Sequence, residues 1–384
     1  MDELQALRQE IDAVDKQLVE LFRQRMDVTR RVGEYKAARG MAVLDQARER
    51  EVLRNKGELA GEELRPAVIT LYQTIMALSR RQQRDMLGER ADNPGLQRWL
   101  EIKKTVRQPV ASPRVVYQGV PGAYSEQACI NFFGERVNSE GLEQFENCFR
   151  AVKEGRADYA VVPIENSSTG AIRQIYDLLT RYECAVVGET TVKVEHCLMA
   201  PKGAALDTIT HVYSHEQGLF QCEQYLNAHP EWHRVPQADT AGSAQMVAES
   251  GDITKAAICS ARAAELYGLE ILAHAINHNT HNTTRFVVVS PNMELREGAD
   301  KISTVFVLPH EAGSLHEILT VFAVHGLNMV KLESRPVPEH SWEYMFFLEF
   351  NGHLDEDVTA DVLHELAQTT GDFRVLGNFK SNLG

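Results

Sequence analysis

No proline occurs before Pro66, and from Leu4 the apolar residues Leu7, Ile11, Val14, Leu18, Leu21 and Phe22 recur at steps of three and four. That spacing predicts one long amphipathic helix from about Asp2 to Arg39. Gly40 is placed to end it, Asp45 to cap a short second helix through QARERE, and Leu64 to Leu87 carries a third helical pattern. Three helices with short links make an all-α unit. Two short helices cannot cover the long one within a single chain, so a partner subunit is expected to cover it.

Charge separates this unit from the rest of the chain. Residues 1–90 hold 17 Lys+Arg against 16 Asp+Glu, whereas the whole chain of 384 residues carries a net −14. An acidic chain without a basic tail is a poor ligand for nucleic acid, whose counterions only a basic surface displaces. Residues 91–112 (ADNPGLQRWLEIKKTVRQPVAS) contain two prolines and little periodicity, and read as a linker.

At Arg114 the pattern changes. Short apolar runs (VVYQG, YAVVPI, CAVVGE, HVYSH, AAICS, FVVVS) alternate with amphipathic stretches, the mark of an α/β domain spanning about 113–292. From 299 to 384 the order strand, helix, strand, strand, helix, strand predicts a βαββαβ, ferredoxin-like α+β module. The chain is therefore expected to be multidomain, in three parts.

The six cysteines (Cys129, Cys148, Cys184, Cys197, Cys222, Cys259) are irregularly spaced and include no CxxC, as expected of free thiols in a reducing compartment. The N-terminus is charged from its second residue, and no apolar run approaches the ~20 residues of a membrane span. A cytoplasmic protein is expected. Neither GxGxxG nor GxxxxGK[ST] occurs, so the expected chemistry needs no cofactor. His274, His278 and His281 have metal-compatible spacing, but no ligand-rich motif accompanies them, and they read as a polar loop with no metal.

Arg25 and Lys36 are eleven residues apart, within ~20° of one helix face and ~16 Å along it, so both reach one small dianion. Arg8 lies ~25 Å from Arg25 and about 100° round the helix, and must serve a different subunit's ligand if it serves one pocket with them. Charges on a long helix are otherwise simply solvated. The spacing of Arg8, Arg25, Lys36, Asp45, Arg48, Glu49, Ser79 and Gln83 resembles the all-helical chorismate mutase family over the first ninety residues. The resemblance implies an interlaced dimer in which two arginines, Arg8 being the partner's, clamp the carboxylates of chorismate. Lys36 and Gln83 would donate to the ether oxygen, and Glu49 would accept the ring hydroxyl. Asp45, Arg48 and Ser79 would give support.

The middle region resembles the prephenate dehydratase family in three stretches: Gly119-Val-Pro-Gly-Ala-Tyr-Ser125, Val162-Pro-Ile-Glu-Asn-Ser-Ser-Thr-Gly170 and Thr284-Arg-Phe286. It implies a two-lobed, periplasmic-binding-protein-like fold. Loss of CO2 and hydroxide from prephenate needs assistance to the leaving oxygen, from Thr284 as donor or relay, or from Glu165 if burial raises its pKa. Asn166 joins them, with Ser125, Ser167, Ser214, Gln221, Arg285 and Phe286 as substrate-binding candidates. Strand alternation puts Arg285 opposite Thr284 and Phe286, which leaves a surface or structural role open for it.

The last part resembles an ACT domain, with Gly313, Ser314 and Leu315 at the first strand-to-helix turn and Glu333-Ser-Arg-Pro336 after the second strand. Phenylalanine is the implied effector. The whole resembles the bifunctional chorismate mutase/prephenate dehydratase (P-protein) family, acting on chorismate and prephenate as a homodimer or higher oligomer. An arogenate dehydratase and a non-catalytic sensor of aromatic amino acids are the alternatives.

Overall fold

The structure, a computed structural model, describes residues 3–41, 43–87, 104, 106–308, 310–311, 313–337 and 343–382. In chain order its elements begin with α1 (Glu3–Ala37), α2 (Gln46–Leu59) and α3 (Gly61–Leu87). The α/β region comes next as β1 (Arg114–Gln118), α4 (Tyr124–Phe133), β2 (Asn138–Leu142), α5 (Phe145–Lys153), β3 (Tyr159–Asn166), β4 (Gly170–Ala171), α6 (Arg173–Arg181) and β5 (Ala185–Lys193). It continues through β6 (Cys197–Ala200), β7 (His211–His215), α7 (Glu216–Gln221), α8 (Glu223–Asn227), β8 (His233–Gln237), α9 (Thr240–Ser250), β9 (Lys255–Cys259), α10 (Ala261–Tyr267), β10 (Glu270–Ala273) and β11 (Thr283–Ser290). The last part is β12 (Lys301–Leu308), α11 (Ser314–His325), β13 (Met329–Pro336), β14 (Tyr344–Asn351), α12 (Asp357–Thr369) and β15 (Gly371–Phe379). The expected βαββαβ order is present. The linker expected at 91–112 lies outside the described residues up to 103; its final stretch runs beside Glu294, with Arg107 N–H donating to Met293 O at 2.9 Å.

Two compact units emerge: Met1–Glu101 with Leu308–Met329 and Leu354–Gly371, and Ile102–Val307 with Val330–His353 and Asp372–Gly384. In the first, Asp45 caps α2 by accepting the Arg48 N–H at 3.0 Å. Both later helices outrun their expected bounds, α2 continuing to Leu59 and α3 starting at Gly61, because Ala60 and a left-handed Gly61 (φ +73°) suffice to reverse the chain. Only Gly33 of α1 is buried, whereas Ile11 (59%) and Leu18 (55%) stand exposed on the apolar stripe that predicted the helix.

The second unit holds three sheets. One has the order β2-β1-β3-β11-β5 with β4 on β3, a second β10-β6-β9-β7-β8, and the third β13-β14-β12-β15. Strand β3 is a near-continuous apolar run because it is buried on both faces. β2 and β8 (NSEGL and HRVPQ) carry no such signal and pair at sheet edges. All six cysteines are buried free thiols.

The chain leaves the first sheet after β5, enters the second at β6, and returns between β10 and β11. These two crossovers lie side by side: Val194 N–H donates to Asn282 O (2.8 Å), Ile276 N–H to His196 O (2.9 Å), and His196 N–H to Asn277 Oδ1 (3.0 Å). The polar loop with the three histidines is therefore the return crossover. Among the described residues no group of three or more His, Cys, Asp or Glu could hold a metal.

Gly377 of β15 has no room for a side chain, since a Cβ there would fall on the carbonyl oxygen of Val186 in β5. Gly377→Ala is expected to destabilise the chain by about 2 kcal/mol or more, as overpacking against backbone does; an unchanged urea midpoint would contradict this packing. Burial holds the His196 imidazole below its ordinary 6.5, opposed by the hydrogen bond to Gln221. The unfolded chain thus takes up a proton that the folded chain refuses, and stability falls as pH drops below 6.5 toward the lowered folded value. His196→Gln should show a smaller loss of melting temperature between about pH 7.5 and 5.5; an equal loss would remove His196 as its source.

Candidate active sites

In the second unit, the register of β11 on β3 sets the geometry. Thr284 stands opposite Asn166 and Arg285 opposite Glu165, after which a bulge shifts the pairing so that Phe286 meets Pro163. Side chains alternate, so Thr284 with Asn166 and Arg285 with Glu165 occupy opposite faces.

On the Thr284 face, Asn166 Nδ2 donates to Thr284 Oγ1 and to Asn282 Oδ1, both at 2.8 Å. Its Oδ1 accepts the N–H groups of Ser168 (2.9 Å) and Thr169 (3.2 Å), which fixes the amide. Thr284 therefore accepts from Asn166, and its own proton has no acceptor among the described residues. Asn282 Nδ2 donates to Gln221 Oε1 at 3.1 Å, and that oxygen also faces His196 Nε2 at 2.9 Å. Tyr124 O–H donates to Glu195 O (2.8 Å) and lies 3.2 Å from His196 Nδ1. One buried network so joins α4, both crossovers, α7, β3 and β11. Asn282, His196 and Tyr124 were not anticipated; each meets partners far away in sequence, and of the three only Tyr124 falls within a stretch, Gly119–Ser125, that the sequence singled out.

Several expected residues have other work. Ser214 is fully buried (0%), donates to Ile258 O at 2.7 Å and is covered by Gly218, so it cannot touch a ligand. Ser167 accepts the Thr283 N–H (2.9 Å) and donates to His281 O (3.3 Å), tying the β3 end to the return crossover. Ser125 is buried in the first turn of α4, where Glu126 accepts the Gly122 N–H at 2.8 Å and already supplies a carboxylate. Phe286 lies in the core. Arg285, 4% exposed, binds Glu349 (2.7 and 3.3 Å), Glu189 (2.9 Å) and Glu165 (3.5 Å), a structural role in place of substrate binding. Burial opposes its charge, but Glu349 and then Glu189 outweigh burial and raise its pKa. Glu165 is 38% exposed at its side chain and pairs with Lys331 at 2.6 Å.

In the first unit, Arg25 donates to Ser79 Oγ (2.7 Å), and Ser79 in turn donates to Ile75 O (2.7 Å). Burial lowers the Arg25 pKa, with Tyr72 and Glu49 opposing. Lys36 Nζ lies 2.5 Å from Val43 O. Gln83 packs against Gly33, where a Cβ would sit 2.9 Å from Gln83 Cγ, and its buried Oε1 has no hydrogen-bond partner among the described residues. Glu49 Oε2 accepts from Arg80 Nη1 at 2.5 Å. Arg80 was not anticipated. Asp45 is the α2 cap, Arg48 is exposed and paired with Glu51 (2.6 Å), and Arg8 is exposed on α1.

Of the ACT-like candidates, Gly313 is left-handed (φ +96°) at the start of α11, and Ser314 Oγ donates to Glu311 O at 2.9 Å; Leu315 is half-buried, and Pro309 and Ala312 lie outside the described residues. In β13, Glu333 is half-buried and Ser334 and Pro336 are exposed. Arg335 closes its fork on Asp177 at 3.1 and 2.8 Å, so it is already paired.

Comparison with known proteins agrees with this layout. Residues 7–84 match the family model of chorismate mutase type II, 115–294 that of prephenate dehydratase, and 302–368 that of the ACT domain. The bifunctional chorismate mutase/prephenate dehydratase of Escherichia coli K12 is 34% identical, covering 98% of this chain and 96% of its own. Among solved structures, the prephenate dehydratase of Arthrobacter aurescens in complex with L-Phe is 31% identical with a TM-score of 0.65, covering 70% of this chain and 90% of its own. A protein described as a novel type of quorum-quenching acylase, GqqA, is 31% identical with a TM-score of 0.64, covering 70% of this chain and 98% of its own. Neither an arogenate dehydratase nor a non-catalytic sensor is favoured. With a mutase helix set, a two-lobed dehydratase region and an ACT module matched along nearly its whole length, the chain belongs to the bifunctional chorismate mutase/prephenate dehydratase family, an isomerase and carbon–oxygen lyase of phenylalanine biosynthesis.

Proposed function

We propose that chorismate is rearranged at the cluster of Arg25, Lys36, Glu49, Ser79 and Gln83, and that prephenate loses CO2 and hydroxide at the network around Thr284. The chain is divided, on this reading, into a mutase domain (1–90), a linker (91–112), a dehydratase domain (113–292) and an ACT domain (299–384). It acts in the cytoplasm; among the described residues no helix is long and apolar enough to cross a membrane.

The mutase step moves no proton, so the site works by holding a compact conformer and stabilising charge on the ether oxygen. Arg25 is engaged by one neutral hydroxyl and keeps donors for a carboxylate. Lys36 Nζ and the amide N–H groups of Gln83 donate to the ether oxygen, and Glu49 Oε1 accepts the ring hydroxyl. Asp45 and Arg48 contribute by forming the start of α2, which carries Glu49. The exposed stripe of α1 supports a homodimer in which the partner subunit's Arg8 completes the clamp.

For the dehydratase, the observation that carries the reading is the Thr284 hydroxyl, which accepts from Asn166 and has a proton to give. As the carboxylate C–C bond breaks, its electrons enter the ring and expel the ring oxygen as hydroxide. An aliphatic hydroxyl is too weak an acid to surrender its proton outright, so Thr284 assists by a strong hydrogen bond or as a relay. Gln221, held by its oxygen, offers its amide hydrogens to a substrate carboxylate. Phenylalanine is the effector of the ACT module, in keeping with the related dehydratase complex with L-Phe.

Thr284→Ala should lower dehydratase turnover about 100-fold or more, while mutase turnover in the same sample stays unchanged; undiminished phenylpyruvate formation would sink the assignment. Arg8→Ala and Arg25→Ala should each abolish mutase activity alone. Exchanging their chains should restore about one quarter of the wild-type rate, because half the dimers are mixed and each holds one intact site. No recovery in demonstrably mixed dimers would refute the shared site.

A further inference from the structure

Arg80 of α3 lies between the two residues already assigned to the mutase site on that helix, Ser79 and Gln83. It is buried, as is Glu365 of α12, and the two are joined through Arg80 Nε at 2.7 Å. Nη1 of the same guanidinium holds Glu49 Oε2 at 2.5 Å. Burial works against the charge of Arg80, and Glu365 and Glu49 together more than restore it. Around this bridge, His325 Nε2 lies 3.7 Å from Glu365 Oε2, and Arg81 donates to Val324 O at the end of α11. Helices α11 and α12 belong to the C-terminal part of the chain, so a residue 285 positions from Arg80 is built into the surroundings of Glu49.

The geometry divides the guanidinium by edges. Glu365 takes Nε, which leaves Nη1 as the group presented to Glu49, and Glu49 gives it one oxygen only. Oε1 of Glu49 has no partner among the described residues. Without the Glu365 charge, the guanidinium is free to turn and grip Glu49 through two parallel bonds, the arrangement that Arg–carboxylate pairs favour. Both Glu49 oxygens would then be withdrawn from a ligand.

We propose that Arg80 and Glu365 are positioning residues for the chorismate rearrangement, Glu365 holding Arg80 so that Glu49 keeps one oxygen for the substrate's ring hydroxyl. The proposal rests on the assignment of Glu49 made above. It makes the mutase dependent on a helix of the C-terminal module, beyond its own first ninety residues.

The test is a double-mutant cycle in the full-length chain with Glu365→Gln, Glu49→Gln and the double variant, measuring kcat and KM for chorismate and, in the same samples, dehydratase turnover on prephenate. Glu365→Gln keeps the size and one acceptor of the side chain, and dehydratase turnover reports that the chain is folded. Expected are a mutase kcat lowered roughly 5- to 50-fold by Glu365→Gln, as for a small misplacement of a catalytic group, an unchanged dehydratase, and no further loss when Glu365→Gln is added to Glu49→Gln. If Glu49→Gln is damaging while Glu365→Gln leaves kcat intact, or if the two losses simply multiply, the positioning role is overturned and the Glu49 assignment stands. Full mutase turnover in Glu49→Gln would overturn that assignment itself, and equal loss of both activities in Glu365→Gln would show a structural role only.

Discussion

One buried guanidinium organises the second unit. Arg285 on β11 reaches Glu189 on β5, Glu349 on β14 and Glu165 on β3, and Glu189 is held in turn by Lys301 of β12 at 2.6 Å. A charge so buried is tolerable only with its partners in place, and removing one member of such a pair typically costs about 3–5 kcal/mol. Its neighbour Thr284 inherits the constraint. With Arg285 fixed on one face, strand alternation delivers Thr284 to the other, facing Asn166, and a slip of one residue would exchange the two faces.

The same unit shows why the polar network around Thr284 sits where it does. A two-lobed domain must pass its chain between sheets, and two adjacent crossovers leave backbone groups that no ladder can pair. Here they are paired by the Asn277 side chain and by one another, while the Asn282 side chain beside them meets Gln221 and Asn166. The polar residues beside the crossovers thus converge on Thr284. The first unit solves a different problem. Its long helix buries only Gly33, and that residue is where Gln83 of α3 packs closest.

Much of this was legible in the sequence, for physical reasons. Helical periodicity exposed α1, and the runs YAVVPI and FVVVS exposed β3 and β11, because burial on both faces leaves an uninterrupted apolar signature. NSEGL and HRVPQ gave no sign of being strands, since edge strands are specified by the neighbours they pair with. Motif resemblance singled out Thr284 and Asn166, which the register pairs, along with Arg285, Phe286 and Ser214, which are buried among protein partners. Residues whose partners lie far along the chain, such as His196, Asn282, Arg80 and Glu365, carry no local pattern at all. Their roles follow from tertiary placement alone.

The central claim is that Thr284, oriented by Asn166, is the group that meets the departing oxygen. A crystal structure of the full chain with an unreactive prephenate analogue, its ring saturated but its hydroxyl retained, tests this directly. The account predicts Thr284 Oγ1 at about 2.6–3.0 Å from the analogue's hydroxyl, with the Asn166 bond kept and Glu165 still on Lys331. A hydroxyl bound instead by the Glu165 carboxylate, with Thr284 out of reach, would contradict it.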